Sequence, residues 1–391
     1  MRKSILVVTL LFMVLFFGIN GVCSAEVGVT GETIKIATIC DQTGPAAHMG
    51  KFLIIGMDAC VKRINDEGGI HGRKIKFLNE TDNYAGAQTV AAARKLIDRD
   101  KIFCFVGNLG TPTNLALMPI LLERKIPMVA PSTSAKALFV PPKRYIFGHY
   151  TTKFDNGRAG VDYIVNDLKM KDAKIAFLGA DTPAAKGFLN GMKTQMKKYG
   201  MNMPVADEWH KMKSVDLSVQ VHKLKSSGAE MLVINSFPTH IAYVIKKCHE
   251  IGWAPKTLID PTSADQKLID LSGKLSEGLV AERVYPLAET SQSWGSIEYR
   301  KALKKFYDKV PLSYPLAGYF SMKILELGLK DAGRDLTREK LVDALEAWKD
   351  KDTGFTPLTY NKTTRLGSTS TMFCIVKDGK FKKITGWRVP K

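Results

Sequence analysis

The segment Lys101–Ala135, KIFCFVGNLGTPTNLALMPILLERKIPMVAPSTSA, decides how this chain folds. It opens on IFCFV, an apolar run short enough to be a strand buried on both faces. Two glycines, two threonines and a proline follow in GNLGTPTN. Leu115, Met118 and Leu122 then recur at helical spacing, and a second apolar run, IPMVA, ends in PSTSA. A helix lying between two uninterrupted apolar runs is a crossover unit. It predicts neighbouring parallel strands in a sheet covered on both sides.

The same alternation extends both ways. Upstream, TIKIATI and KIKFLNET read as strands. Helical faces at Leu53, Met57, Val61 and Ile64, and at Val90, Ala93 and Ile97, separate them. Downstream the pattern starts again with DNGRAGVDYIVNDL, KIAFLG, EMLVINS and HIAYVIKKCHEIG. Three helical patterns follow Pro286, and a hairpin turns at Asp378-Gly379. The expected fold class is therefore α/β, as two doubly wound lobes. No Gly/Ser/Pro-rich linker parts them, so the crossings near 148–151 and 284–287 are expected to be short hinge strands.

Arg2 and Lys3 precede an apolar stretch, Ile5–Ile19, that is short for a membrane span. Small residues Cys23 and Ala25 then mark a cut after Ala25. Residues 1–25 are read as a secretory signal peptide, in preference to a membrane anchor or a lipoprotein site at Cys23. The expected location is periplasmic.

Removing the leader takes two cations and lowers the formal charge of +19 to +17. The Lys and Arg residues are scattered and not interleaved with aromatics, which argues against nucleic acid and for a solvated surface. Of 6 cysteines, Cys40, Cys60, Cys104, Cys248 and Cys374 remain after cleavage. None is spaced C-x-x-C, and Cys60, Cys104 and Cys248 sit inside apolar patterns, so buried free thiols are expected. No metal or cofactor is expected. The chain has no G-x-G-x-x-G, G-x-x-x-x-G-K, H-E-x-x-H or G-x-S-x-G, and no constellation that would make it an enzyme.

In open α/β sheets ligands bind beyond the carboxyl ends of the strands. Asn108, Leu109, Gly110 and Thr111 lie at one such end, where glycine lets backbone approach a ligand. Thr111 is read as a helix N-cap, with Pro112 at the first helical position. Ser132, Thr133 and Ser134 form a second polar turn on the neighbouring strand. Gln42, Thr43 and Gly44 form a third, with His48 or Met49 overhanging. Hydroxyls and amides at helix starts are suited to a carboxylate.

These residues carry a resemblance. TGPAAHMGK, INDEGGIHGRKIKFLNETDN, VGNLGTPTN and APSTSA resemble the branched-chain amino-acid binding proteins that feed ABC importers. The resemblance implies a two-lobed Venus flytrap with three crossings, working as a monomer with a membrane permease. Lobe 1 would comprise 31–148 plus 286–356, and lobe 2 would comprise 149–285 plus 357–391, with the third crossing near GFTPLTY. It implies carboxylate contacts at Thr111 and Ser132–Ser134. In the second lobe it points to Ala184, where many members have an aromatic residue, and to Phe237. The family's ammonium-binding acid falls at about Thr262, with Asp260 and Asp265 beside it. A free amino acid with no inward acid would bury an unpaired ammonium, so an aromatic or aliphatic acid competes as ligand. A sensor subunit for a signalling protein is the alternative to an importer component.

Overall fold

The computed structural model describes residues 26–308 and 313–390, so the signal-peptide reading lies outside the described residues. The first sheet contains β1 (Thr33–Ile39), β2 (Lys74–Glu80), β3 (Cys104–Val106), β4 (Met128–Val129) and β5 (Ile146–Phe147), in the order β2-β1-β3-β4-β5. All pairs are parallel. The second holds β6 (Ile175–Ala180), β7 (Ala206–His210), β8 (Met231–Asn235), β9 (Lys256–Ile259) and β10 (Val280–Arg283). Its order, β14-β13-β10-β9-β8-β6-β7, repeats the first sheet's winding and adds an antiparallel hairpin. Strands β11 (Thr359–Asn361) and β12 (Thr364–Gly367) pair separately, and β13 (Met372–Lys377) and β14 (Lys380–Lys383) form that hairpin.

The strand pleat explains the double winding. Along β1, Ile34 and Ile36 enter one apolar cluster while Ala37 and Ile39 enter another. Along β6, Ala176 and Leu178 face one cluster while Ile175 and Phe177 face a second. Each sheet is thus covered on both faces, as uninterrupted apolar strands require. Hairpin β13–β14 turns at Asp378 and Gly379, with φ of 56° and 67°. Positive φ at both central residues matches the right-handed strand twist and suits an Asp-Gly pair.

Helix Ala47–Asp66 packs against helix Ser313–Ala332 through two glycines. A Cβ on Gly56 would overlap Pro315 O, and one on Gly318 would overlap Leu53 O. This close approach ties the late helices to the first sheet.

One boundary differs from expectation. Leu358 and Tyr360 belong to the apolar cluster of the first sheet, Leu366 packs in its other cluster, and Gly148 N–H donates to Arg365 O at 2.7 Å. The chain therefore stays with the first sheet past residue 356 and crosses only after Gly367. The short polar strands TYN and TRLG carried little periodicity to reveal this. The five described cysteines are all buried and free.

Candidate functional site

In each sheet the winding reverses direction between the first and third strands, and the crevice at that switch point is the natural ligand site. The two crevices face each other. The cavity between them is lined by Leu109 and Gly110 beyond β3 and by Ala180 and Asn235 at the ends of β6 and β8.

On the first lobe the two polar turns are joined into one surface. Leu109 and Ser132 form a parallel bridge beyond the strands. Gly110 N–H donates to Ser132 O at 3.2 Å, and Ser132 N–H donates to Asn108 O at 2.8 Å. Gly110, at φ 104°, caps the helix Thr111–Glu123 with no side-chain bond. Thr111 is therefore the first helical residue and not the N-cap expected from sequence. A non-glycine residue could hardly adopt that φ, so the cap falls one position earlier. The Thr111 hydroxyl is freed to pair with the Thr133 hydroxyl at 2.9 Å. Ser132 Oγ is buried with no hydrogen-bond partner among the described residues. Thr111, Ser132, Thr133 and Ser134 all line the cavity, with Met49 and Leu53 beside them.

The second lobe places Ala184, Phe237 and Thr262 on the cavity wall. It also supplies Lys153, Asn235 and Asp265. Lys153 begins the helix Lys153–Asn166, capped by the Thr152 hydroxyl. Its Nζ hydrogen-bonds Thr262 Oγ1 and pairs with the buried Asp260 carboxylate. Asn235 Nδ2 and Asp265 Oδ2 are buried without hydrogen bonds among the described residues. Helices Thr111–Glu123, Lys153–Asn166, Pro183–Lys198 and Pro238–Glu250 all start at this cavity, so their positive dipole ends converge on it.

Aromatic residues form part of the cavity wall. Tyr84, Tyr150 and Tyr285 line it, and His149 Nε2 lies 3.1 Å from Tyr285 Oη. Burial pushes the Tyr84 hydroxyl up to about 12. It pushes the His149 imidazole down to about 3, so His149 is neutral at physiological pH. Glu282 has no exposed surface. Burial lifts its carboxyl to about 8, against the opposing pull of Thr371, Asn156 and Lys153.

Four expected contacts lie off the cavity wall. Thr43 donates to Asn83 Oδ1. Asn108 turns inward, where its Oδ1 accepts from Ile39 N–H at 3.2 Å and pins β1 to the loop after β3. Asp260 is fully buried behind Lys153. His48 sits at the rim, with a 40% exposed side chain, and its Nε2 reaches across to Asp265 Oδ1 at 4.0 Å. Met49, Leu109, Gly110, Thr111, Ser132, Thr133, Ser134, Ala184, Phe237 and Thr262 are brought together on the cavity wall. Sequence reasoning searched the loops after strands and so missed Tyr150 and Tyr285, which lie on the crossings, and Lys153, which starts the helix after the first crossing. One signal was present: a lysine in the first turn of a helix opposes the helix dipole and needs a local reason.

Comparison with known proteins agrees with this architecture. Residues 33–380 match the family described as periplasmic binding protein. The chain is 25% identical over 350 residues to Leu/Ile/Val-binding protein homolog 3 of Brucella melitensis, covering 89% of this chain and 92% of that protein. A Thermus thermophilus branched-chain amino acid ABC transporter structure with bound valine superposes with a TM-score of 0.82 at 20% identity, covering 92% and 97% of the two chains. A fatty acid ABC transporter substrate-binding protein from Thermomonospora curvata also reaches 0.82, at 22% identity, covering 94% and 95%. The shared fold thus holds proteins named for chemically different cargo.

Proposed function

Because the chain belongs to the periplasmic binding protein family, in its type I form related to the branched-chain amino-acid binders, we propose that it captures a small carboxylate-bearing ligand between its lobes. In this reading it is the extracytoplasmic component of an ABC importer, delivers its cargo to a membrane permease, and carries out no chemistry. Among the described residues, no helix is long and apolar enough to cross a membrane.

The observation that carries the reading is the first-lobe surface. Thr111, Ser132, Thr133 and Ser134 offer hydroxyls on one wall, at the start of a helix, in a cavity where three further helices begin. Hydroxyl and amide donors backed by converging dipoles favour an anion. Met49, Leu53, Tyr84, Tyr150, Tyr285 and Phe237 surround the remaining volume, which suits an aliphatic or aromatic body. The lobes would close by bending at the three crossings, and only ligand contacts specific to the closed form would drive that closure.

Isothermal titration of the double variant Thr111→Ala, Ser134→Ala tests the proposal. Each lost charge-assisted hydrogen bond costs about 1.5–3 kcal/mol, so the affinity for a bound carboxylate falls at least tenfold. Unchanged affinity would remove these loops from the site.

A further inference from the structure

Lys153 links the two walls of the cavity. Its backbone N–H donates to Ser134 O at 2.9 Å, so the residue starts against the loop that faces the ligand carboxylate. Its side chain then runs along the second-lobe wall, where Nζ meets Thr262 Oγ1 and the Asp260 carboxylate. Lys153 and Thr262 line the cavity, and Lys153 is 9% exposed. An ammonium has three N–H donors. Two are used among the described residues, which leaves a third. On the same wall Asn235 Nδ2, a second donor, is buried with no partner among the described residues.

The charges on this wall decide what chemistry it accepts. A ligand ammonium would meet a lysine ammonium already in place. A second ligand carboxylate would meet Asp260 behind Lys153 and Asp265 on the same wall. The wall's two cations, Lys153 and Arg283, are matched in number by Asp260, which pairs with Lys153, and by Asp265. A neutral oxygen accepts from Lys153 and Asn235 without adding charge, so it avoids both conflicts. Because Lys153 springs from beside Ser134, that oxygen lies within one side chain's reach of the carboxylate.

We propose that the ligand is a carboxylic acid with a neutral oxygen acceptor beside its carboxylate, an α-oxo or α-hydroxy acid, and that Lys153 is the residue that selects it over the matching α-amino acid. This rests on the carboxylate reading above and adds the second anchor point.

The test is isothermal titration of the mature chain, freed of bound cargo by unfolding and refolding. The probes are matched series on the skeletons of alanine, leucine and phenylalanine. Each series comprises the amino acid, the α-oxo acid, the α-hydroxy acid and the unsubstituted acid. In at least one series the oxo or hydroxy acid should bind about tenfold tighter than both the amino and the unsubstituted acid, as expected for one charge-assisted hydrogen bond. The oxo and hydroxy arms identify which oxygen is read. Lys153→Met should abolish the preference. Because that change leaves Asp260 unpaired, the double variant Lys153→Met, Asp260→Asn keeps the buried charge balanced and should show the same loss. Binding of the amino or unsubstituted acid as tightly as its oxygenated partners, or survival of the preference in the folded double variant, overturns this inference and leaves the carboxylate reading standing. Failure of every acid in all three series to bind overturns both.

Discussion

Glu282 offers a sharp test of the electrostatics behind the site. Its carboxyl is fully buried, and Asn156 Nδ2 donates to its Oε1 at 2.6 Å. Burial lifts it from an ordinary 4.5 to about 8, while Thr371, Asn156 and Lys153 pull the other way. Between those values the native chain holds a proton that the unfolded chain has lost. Stability from this group is therefore complete below about pH 4.5 and is lost as the pH rises through about 8. At about 1.4 kcal/mol per pH unit, the full span is worth roughly 5 kcal/mol at most. For a lobe of this size that corresponds to roughly 10 °C in melting temperature. Glu282→Gln keeps the oxygen that Asn156 needs and cannot ionise. Calorimetric melts from about pH 5 to pH 8 should show the wild type losing several degrees more than the variant over that interval. Parallel curves for the two proteins would refute the claim that this carboxyl is held neutral.

Three further outcomes are expected. His149 is depressed by burial to about 3, so its contribution is present above about pH 6.5 and is lost as the pH falls through the folded value; His149→Gln should flatten the acid limb of the melting curve and leave the alkaline limb unchanged. Gly318→Ala forces a Cβ into Leu53 O where two helices cross; overpacking of this kind costs about 1–3 kcal/mol, readable as a lowered urea midpoint, and an unchanged midpoint would mean the helices separate freely. The buried thiols of Cys40, Cys60, Cys104 and Cys248 are pushed up to about 12. A thiol reagent at neutral pH should therefore label almost none of these in the native chain, and all five of Cys40, Cys60, Cys104, Cys248 and Cys374 after unfolding; fewer would reveal a disulfide.

The lobes, their winding and the first-lobe half of the site were legible in the chain because each depends on local patterns. Apolar runs such as IFCFV and TIKIATI are continuous only where a strand is covered on both faces. GNLGTPTN and PSTSA carry their hydroxyls wherever the loops go, and the winding of an open sheet fixes which strand ends meet. Thr111 was placed on the right loop and one position off its helical role, because Gly110 could take a backbone angle that no side chain prefers.

The second-lobe wall was a different matter. Thr262, Asp260 and Lys153 lie 109 and 107 positions apart along the two hydrogen bonds that join them. Spacing in the chain says nothing about such pairs. The sequence alone established a two-lobed α/β chain with hydroxyl-rich turns at the strand ends, since periodicity and turn chemistry are properties of neighbours. Only the tertiary structure decided that a lysine held by Asp260 joins Asp265 opposite those turns, since the charge of a cavity depends on which distant side chains the packing brings together.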